Sequence, residues 1–229
     1  MSNHPSAIMI FAAGFGTRMG ALTKDLPKPL IKVAGKPLID RALELAHAVQ
    51  PTKIVANLHY RADQLRTHLA PLGVLLAHEP QILETGGGLR AALPMLGTGP
   101  VFTLNPDAVW QGPNPLVTLQ SAWNPDLMDA LLMCVPVEQA MGHNGAGDFD
   151  VDDNGRLQRG SNLVYGGAQI LKTDGLGDIP ETAFSLNLLW DRMAAKNRLY
   201  CCAFPGKWCD VGRPEGIALA ESLLAKPDV

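Results

Sequence analysis

Residues 11–31, FAAGFGTRMGALTKDLPKPLI, place Gly14 and Gly16 directly after an apolar run and follow them with Arg18 and Lys28. Glycines at such a point let backbone N–H groups approach a phosphate closely. A guanidinium and an ammonium on the same loop suit a triphosphate, which carries about four negative charges. The pattern is not a dinucleotide fingerprint, because Met19 stands at the third glycine position, and no Gly-Lys-Ser/Thr of a P-loop is present. Pro27 and Pro29 flank Lys28. They fix φ and disfavour helix, so the lysine is expected on a stiff, extended backbone.

Other residue types that could do chemistry are less well arranged. His59, His68, His78 and His143 show no metal spacing, and the four cysteines (Cys134, Cys201, Cys202, Cys209) match neither C-x-x-C spacing nor a dense disulfide framework. The acidic run 150–153 lacks the spacing and terminal Glu of an EF-hand. With Asn154-Gly155 following, it reads as a solvated hairpin turn. A formal net charge of −3 gives no reason to expect nucleic acid or an acidic membrane as a partner. The opening MSNHPSA lacks a secretory n-region, and no run approaches the roughly 20 apolar residues of a membrane span. A reducing cytoplasm is the expected home.

The elements that must position the loop follow from periodicity. AIMIFA (7–12), KIVANL (53–58), GVLLAHE (73–79) and PVFTLN (100–105) read as buried strands. Between them, PLIDRALELAHAV, RADQLRTHLAPL and GGLRAALPML read as helices, Pro37 falling in the first turn of the first. Such alternation argues for a mostly parallel sheet covered by helices on both faces. After Pro136 come a hairpin around Asn154-Gly155, a glycine-interrupted strand (LVYGGAQIL), a helix (SLNLLWDRMAAKN), a strand (RLYCCAF) and a closing helix (RPEGIALAESLLA). The expectation is an α/β fold with a small α+β elaboration, in one domain over 1–229. In open parallel sheets ligands bind beyond the carboxyl ends of the strands, where the glycine loop lies.

Gly14-Phe15-Gly16-Thr17-Arg18 and Pro27-Lys28-Pro29 resemble the first signature of the sugar-1-phosphate nucleotidyltransferases, G-x-G-T-R followed by P-K-P. The resemblance implies a Rossmann-like nucleotidyltransferase (GT-A-like) fold with a mixed, mostly parallel sheet. Residues 1–125 would form the nucleotide-binding half, and 126–229 the half that binds sugar and completes a metal site. It implies catalytic roles for Arg18 and Lys28, and nucleotide contacts from Ala12, Ala13, Gly14, Gly16 and Thr17. In EPQILETGGG, Thr85 and the N–H groups of Gly86 or Gly87 would face the base, with Glu79 as acceptor; such a set complements uracil or thymine. Asp107 and Asp210 fall at the family's acidic positions and would hold one Mg²⁺, although Pro106 replaces a usual glycine and Arg213 a usual threonine. Single aspartates in loops are otherwise mostly caps or turn formers.

Within this family the segment Gly145-Ala146-Gly147-Asp148-Phe149 is most similar to the N-acetylmuramate α-1-phosphate uridylyltransferases of peptidoglycan recycling. Asn105, Gly147, Asp148, Arg159, Tyr165 and Gly166 are the implied sugar contacts, Arg159 as counter-ion to a lactyl carboxylate. The implied substrates are an NTP and a sugar 1-phosphate. Other sugar phosphates (glucose, mannose), other bases and a catalytically silent nucleotide-sugar sensor stay open, as does the choice between a monomer and a small homo-oligomer. A glycosyltransferase would usually show a D-x-D pair where Asn105-Pro106-Asp107 offers one acid.

Overall fold

The computed structural model describes residues 4–226. Its first half runs β1 (Ala7–Phe11), the short ribbon β2 (Lys32–Val33) and β3 (Lys36–Pro37), α1 (Leu38–His47), β4 (Lys53–Leu58), α2 (Ala62–Leu69), β5 (Leu75–His78), α3 (Glu84–Leu96) and β6 (Val101–Leu104). Then follow β7 (Ala108–Gln111), α4 (Pro115–Ala122), β8 (Ala130–Pro136), β9 (Ala140–Met141), the hairpin β10 (Phe149–Val151) and β11 (Leu157–Arg159), β12 (Leu163–Leu171), α5 (Asn187–Ala195), β13 (Leu199–Ala203), β14 (Lys207–Asp210) and α6 (Pro214–Leu224).

β1 lies at the middle of a nine-stranded sheet, parallel to β4 on one side and β6 on the other. A strand covered on both faces has no polar side, which is why AIMIF is apolar throughout. Its alternate residues serve different layers. Ile8 and Ile10 join α1, α2 and α4 through Ile39, Leu65 and Leu116, whereas Ala7 and Met9 join α3 and α5 through Leu89 and Leu189. Helices therefore cover both faces, as the alternation predicts. β5 extends the parallel set beyond β4, and β12 enters antiparallel between β6 and β8, with β13 parallel to β8. The sheet is mixed and mostly parallel.

A three-stranded ribbon, β7-β14-β9, stands apart from the main sheet. β14 runs antiparallel to β7 with Asp210 opposite Ala108, so the segment beginning at Asp107 meets the segment ending at Asp210. Packing of Met19, Val109, Val211 and Leu223 beneath this ribbon ties it to the glycine loop and to α6.

Several details differ from the sequence reading. Pro37 stands just before α1, at its cap, rather than inside the first turn. The triple glycine is inside α3, which begins at Glu84. α4 and β8 escape the pattern reading. ALLMCVP is a continuous apolar run, whose period distinguishes neither helix nor strand. The local signal for α4 is its cap, since the Asn114 side chain accepts from Leu116 N and Val117 N, with Pro115 next. The Asn154-Gly155 turn is present: Asp152 Oδ1 accepts from Asn154 N and Arg156 N, and Gly155 takes φ +78°.

Candidate active site

The chain leaving β1 turns through the glycine loop at the carboxyl end of the central strands. Gly16 has φ +65°, and a Cβ there would lie 2.9 Å from both Lys28 Cβ and Thr23 Cγ2. Its lack of a side chain is thus what lets the lysine segment pack onto the loop. Thr23 Oγ1 donates to Gly16 O at 3.0 Å and closes the far side of that loop.

The expected extended backbone at Lys28 is not what the fold adopts. Pro27 is extended, but Lys28–Leu30 forms a single 3-10 turn, with Leu30 N donating to Pro27 O at 2.9 Å. Pro29 sits in the first turn, where its missing N–H leaves no bond unmade, so the proline pair starts a turn rather than preventing one. The turn buries the lysine stem and aims Nζ at Asp107 Oδ2, 2.6 Å away, with only 11% of the lysine side chain exposed.

Around this ion pair lies a cavity of about 280 Å³. Gly14, Gly16, Thr17, Arg18, Lys28, Asn105, Pro106, Asp107 and Gly212 are among the residues that line it. Asp210 is adjacent. Burial, followed by the negative charge of Asp107, pushes its carboxyl above the usual carboxylate range, and Lys28 and Arg18 oppose the shift. A glycine is required at each of three places around it. Side chains at Gly142 or Gly216 would stand 2.5 Å from Asp210 O, and one at Gly212 would stand 2.6 Å from Asp210 Oδ2. Arg18, Lys28, Asp107 and Asp210, separated by up to most of the chain, are therefore brought together.

Phe11, Ala12, Ala13, Asn57, Glu79, Ile82, Glu84 and Thr85 complete the lining. Here the assignments made from sequence need correcting. Gly86 N and Gly87 N both donate to Phe184 O, at 2.8 and 3.1 Å, so neither N–H is free for a base. All three glycines are buried, and a Cβ on Gly87 would lie 2.5 Å from Thr182 O. Close packing of α3 onto residues 182–184 accounts for Gly86 and Gly87, and a Cβ on Gly88 would lie 2.6 Å from Glu79 Oε1 and 2.9 Å from Asn57 Nδ2. Glu79 is 3% exposed; its Oε1 accepts from Asn57 Nδ2 at 2.7 Å and its Oε2 from Leu83 N at 3.1 Å. Asn57 Oδ1 in turn accepts from Ala12 N at 2.7 Å. Glu79 and Asn57 form a buried relay that fastens the glycine loop to the start of α3. Asn57 and Glu84 were missed from sequence, though a polar residue inside the buried run KIVANL was the available sign.

Of the residues implied for a sugar, only Asn105 lines the cavity, and its N donates to Gly167 O at 2.7 Å. The other five carry fold contacts. Gly147 packs 2.6 Å (as a notional Cβ) from Ser161 O, and Asp148 Oδ2 accepts from Tyr165 N. The Tyr165 hydroxyl is buried near Thr103 and Gln169, and burial pushes the phenol up. Gly166 O accepts from Trp208 Nε1 at 2.9 Å. Arg159 donates to Asp191 Oδ1 at 2.8 Å and stacks on the Phe149 ring, so its charge is engaged away from the cavity.

The sequence model of the MobA-like NTP transferase domain matches residues 8–144, which hold the glycine loop, the relay and Asp107. The chain belongs to that family. An N-acetylmuramate alpha-1-phosphate uridylyltransferase of Caulobacter vibrioides is 39% identical over 99% of this chain and all of that protein. A second protein of that name, from Neisseria meningitidis, is 33% identical over 94% of this chain and 96% of its own length. Among solved structures, HddC from Yersinia pseudotuberculosis, complexed with GMP-PN, superposes with a TM-score of 0.77 at 22% identity, covering 96% of this chain and 99% of its own. That likeness carries the fold alone, and the fold is that of the nucleotidyltransferases. The family resemblance read from G-x-G-T-R and P-K-P is thereby met, and Pro106 is a buried part of the cavity wall.

Proposed function

We propose that the protein is a sugar-1-phosphate nucleotidyltransferase that joins UTP to N-acetylmuramate α-1-phosphate and releases pyrophosphate. The observation that carries the reading is the meeting of Arg18 and Lys28 with the Asp107–Asp210 carboxylates at one cavity beside the glycine loop. Relatives of that name, aligned over nearly the whole chain, support the choice of sugar and base.

The chemistry asks little of the protein beyond placement and charge. An oxygen of the sugar phosphate is already anionic at neutral pH, so its in-line attack on the α-phosphorus needs no general base. Arg18 neutralises the leaving pyrophosphate, and Lys28 the phosphates about the reacting centre. The N–H groups of the 12–18 loop orient the chain of phosphates.

Two carboxylates held together against their mutual repulsion, with an ammonium on one of them, form a site suited to a divalent cation. Among the described residues no group of three or more possible metal ligands occurs, so phosphate oxygens and water would complete the coordination of Mg²⁺ on Asp107 and Asp210. The ion would supply charge neutralisation where the two phosphates meet. In this reading 1–229 is one domain, its first 125 residues serving the nucleotide and the rest the sugar and metal, acting in the cytoplasm in peptidoglycan recycling.

A panel of sugar 1-phosphates with UTP and Mg²⁺, read by pyrophosphate release, tests it. The muramate phosphate is expected to show a kcat/KM at least about tenfold above glucose or mannose 1-phosphate, a difference one charged contact can supply. Equal turnover removes the sugar assignment, and no release with any sugar phosphate leaves a nucleotide-sugar sensor.

A further inference from the structure

We propose that a second cavity, at the rim of the main sheet opposite the glycine loop, binds a short peptide with free termini. Asp174 and Asp178 take its ammonium, and Arg192 and Lys196 its carboxylate. The cavity has a volume of about 460 Å³ and shares no lining residue with the first. Lys172, which lines it, follows Leu171, the β12 residue paired with Val101 at the start of β6. Asp107 lies beyond the end of that strand. Nucleotide and peptide thus have sites at opposite ends of β6.

Three acids (Asp129, Asp174, Asp178) and three cations (Lys172, Arg192, Lys196) line the second cavity, so it has no net charge and concentrates neither a simple anion nor a simple cation. Two of the six are spent. Lys172 Nζ lies 3.0 Å from Asp129 Oδ1, and Arg198 Nε donates to the same oxygen at 2.8 Å. The side chains of Asp174, Asp178, Arg192 and Lys196 make no hydrogen bond or ion pair among the described residues. Neither carboxylate reaches either cation, although all four border one space. A ligand that carries both charges completes both sets, and one with no net charge suits a cavity with none. The two cations come from α5 and its cap, where positions 189, 192, 193 and 196 share one helix face. Leu189 and Met193 on that face give the peptide's last residue an apolar surface. The two acids come from the turn at 174–178, which packs against the same face: a Cβ on Gly175 would lie 3.0 Å from Leu189 Cδ1. A cation in the last turn of α5 also complements the helix dipole, but that role needs no unpaired carboxylates across a cavity. The termini of an extended dipeptide stand about 7 Å apart, and the volume falls in the usual range of small-molecule sites.

Titration calorimetry with the dipeptide alanyl-leucine, its N-acetyl form and its C-terminal amide tests the site, each with and without UTP and Mg²⁺. The free dipeptide is expected to bind equally well in both conditions. Capping either end weakens binding at least about tenfold, in the range of a hydrogen bond to a charged group. The double variant Asp174→Asn with Asp178→Asn binds the free and acetylated forms alike and keeps the penalty for amidation. Arg192→Gln with Lys196→Gln does the converse. All four positions are exposed, so both double variants melt close to wild type. No binding of the free dipeptide at millimolar concentration overturns the proposal, as does equal binding of the capped forms or an unchanged preference in both double variants. Displacement by UTP puts the dipeptide in the nucleotide cavity and also overturns it. Pyrophosphate release plays no part in this readout, so the catalytic reading stands or falls separately.

Discussion

Replacing Asn57 by alanine cuts the buried relay at its centre. Asn57 is 3% exposed, with one amide atom accepting from Ala12 N and the other donating to Glu79 Oε1, each at 2.7 Å. The first bond is neutral and contributes about 1 kcal/mol; the second reaches a carboxylate and contributes about 2 kcal/mol. Alanine also leaves the buried Ala12 N–H without a partner, which adds about 1 kcal/mol. The expected loss is therefore about 4 kcal/mol. For a domain of this size each kcal/mol lowers Tm by about 2–4 °C, so the shift is about 8–16 °C, read by calorimetry with and without nucleotide. Asn57→Asp separates the two bonds, because it can still accept from Ala12 N but confronts Glu79 with a second carboxylate. That variant is expected to recover stability as pH falls and one of the acids takes up a proton. A Tm for Asn57→Ala within about 3 °C of wild type would refute the relay as the fastening of the glycine loop.

Three further substitutions test other parts of the structure. Gly166→Ala would place a Cβ 2.7 Å from Trp110 Cη2 and 3.3 Å from Met133 O, so chemical denaturation should show a loss of about 1–3 kcal/mol; wild-type stability would contradict that packing. Asp129 is pushed up by burial but held below its usual range overall by hydrogen bonds from Arg198 and Lys172. Its stabilisation is present above the unfolded-state value and is lost as pH falls through the lowered folded value. Asp129→Asn should therefore cost about 1–2 kcal/mol at pH 7, discounted for partial exposure, with the gap to wild type closing below about pH 4 in pH-dependent unfolding. Arg159→Ala should leave turnover within about twofold and stability within about 1 kcal/mol, because its partner pair is exposed; a large rise in KM for the sugar phosphate would return Arg159 to the site.

The parallel half of the fold was legible because its strands are buried on both faces and its helices repeat their apolar residues every three or four positions, as in Ile39, Ala42, Leu43 and Ala46. That Gly16, Arg18, Lys28 and Asp107 line one cavity was legible for a different reason: their motifs, G-x-G-T-R and P-K-P, are specific in spacing. Gly86, Gly87 and Glu79 were misread because hydrogen-bond partners are tertiary facts. Nothing in ETGGG reveals that the Phe184 carbonyl, almost a hundred positions away, takes the N–H groups of Gly86 and Gly87. Asp148 and Gly166 likewise resemble ligand contacts in sequence, yet they serve Tyr165 N and Trp208 Nε1.

The most direct measurement is pyrophosphate release from UTP and the muramate phosphate across a Mg²⁺ titration, comparing wild type with Asp107→Asn. The account predicts Mg²⁺-dependent release in the wild type and a fall of at least about 10²-fold in the variant, the scale of losing one electrostatic group at a reacting centre. Near-normal release by Asp107→Asn, with unchanged Mg²⁺ dependence, would contradict it.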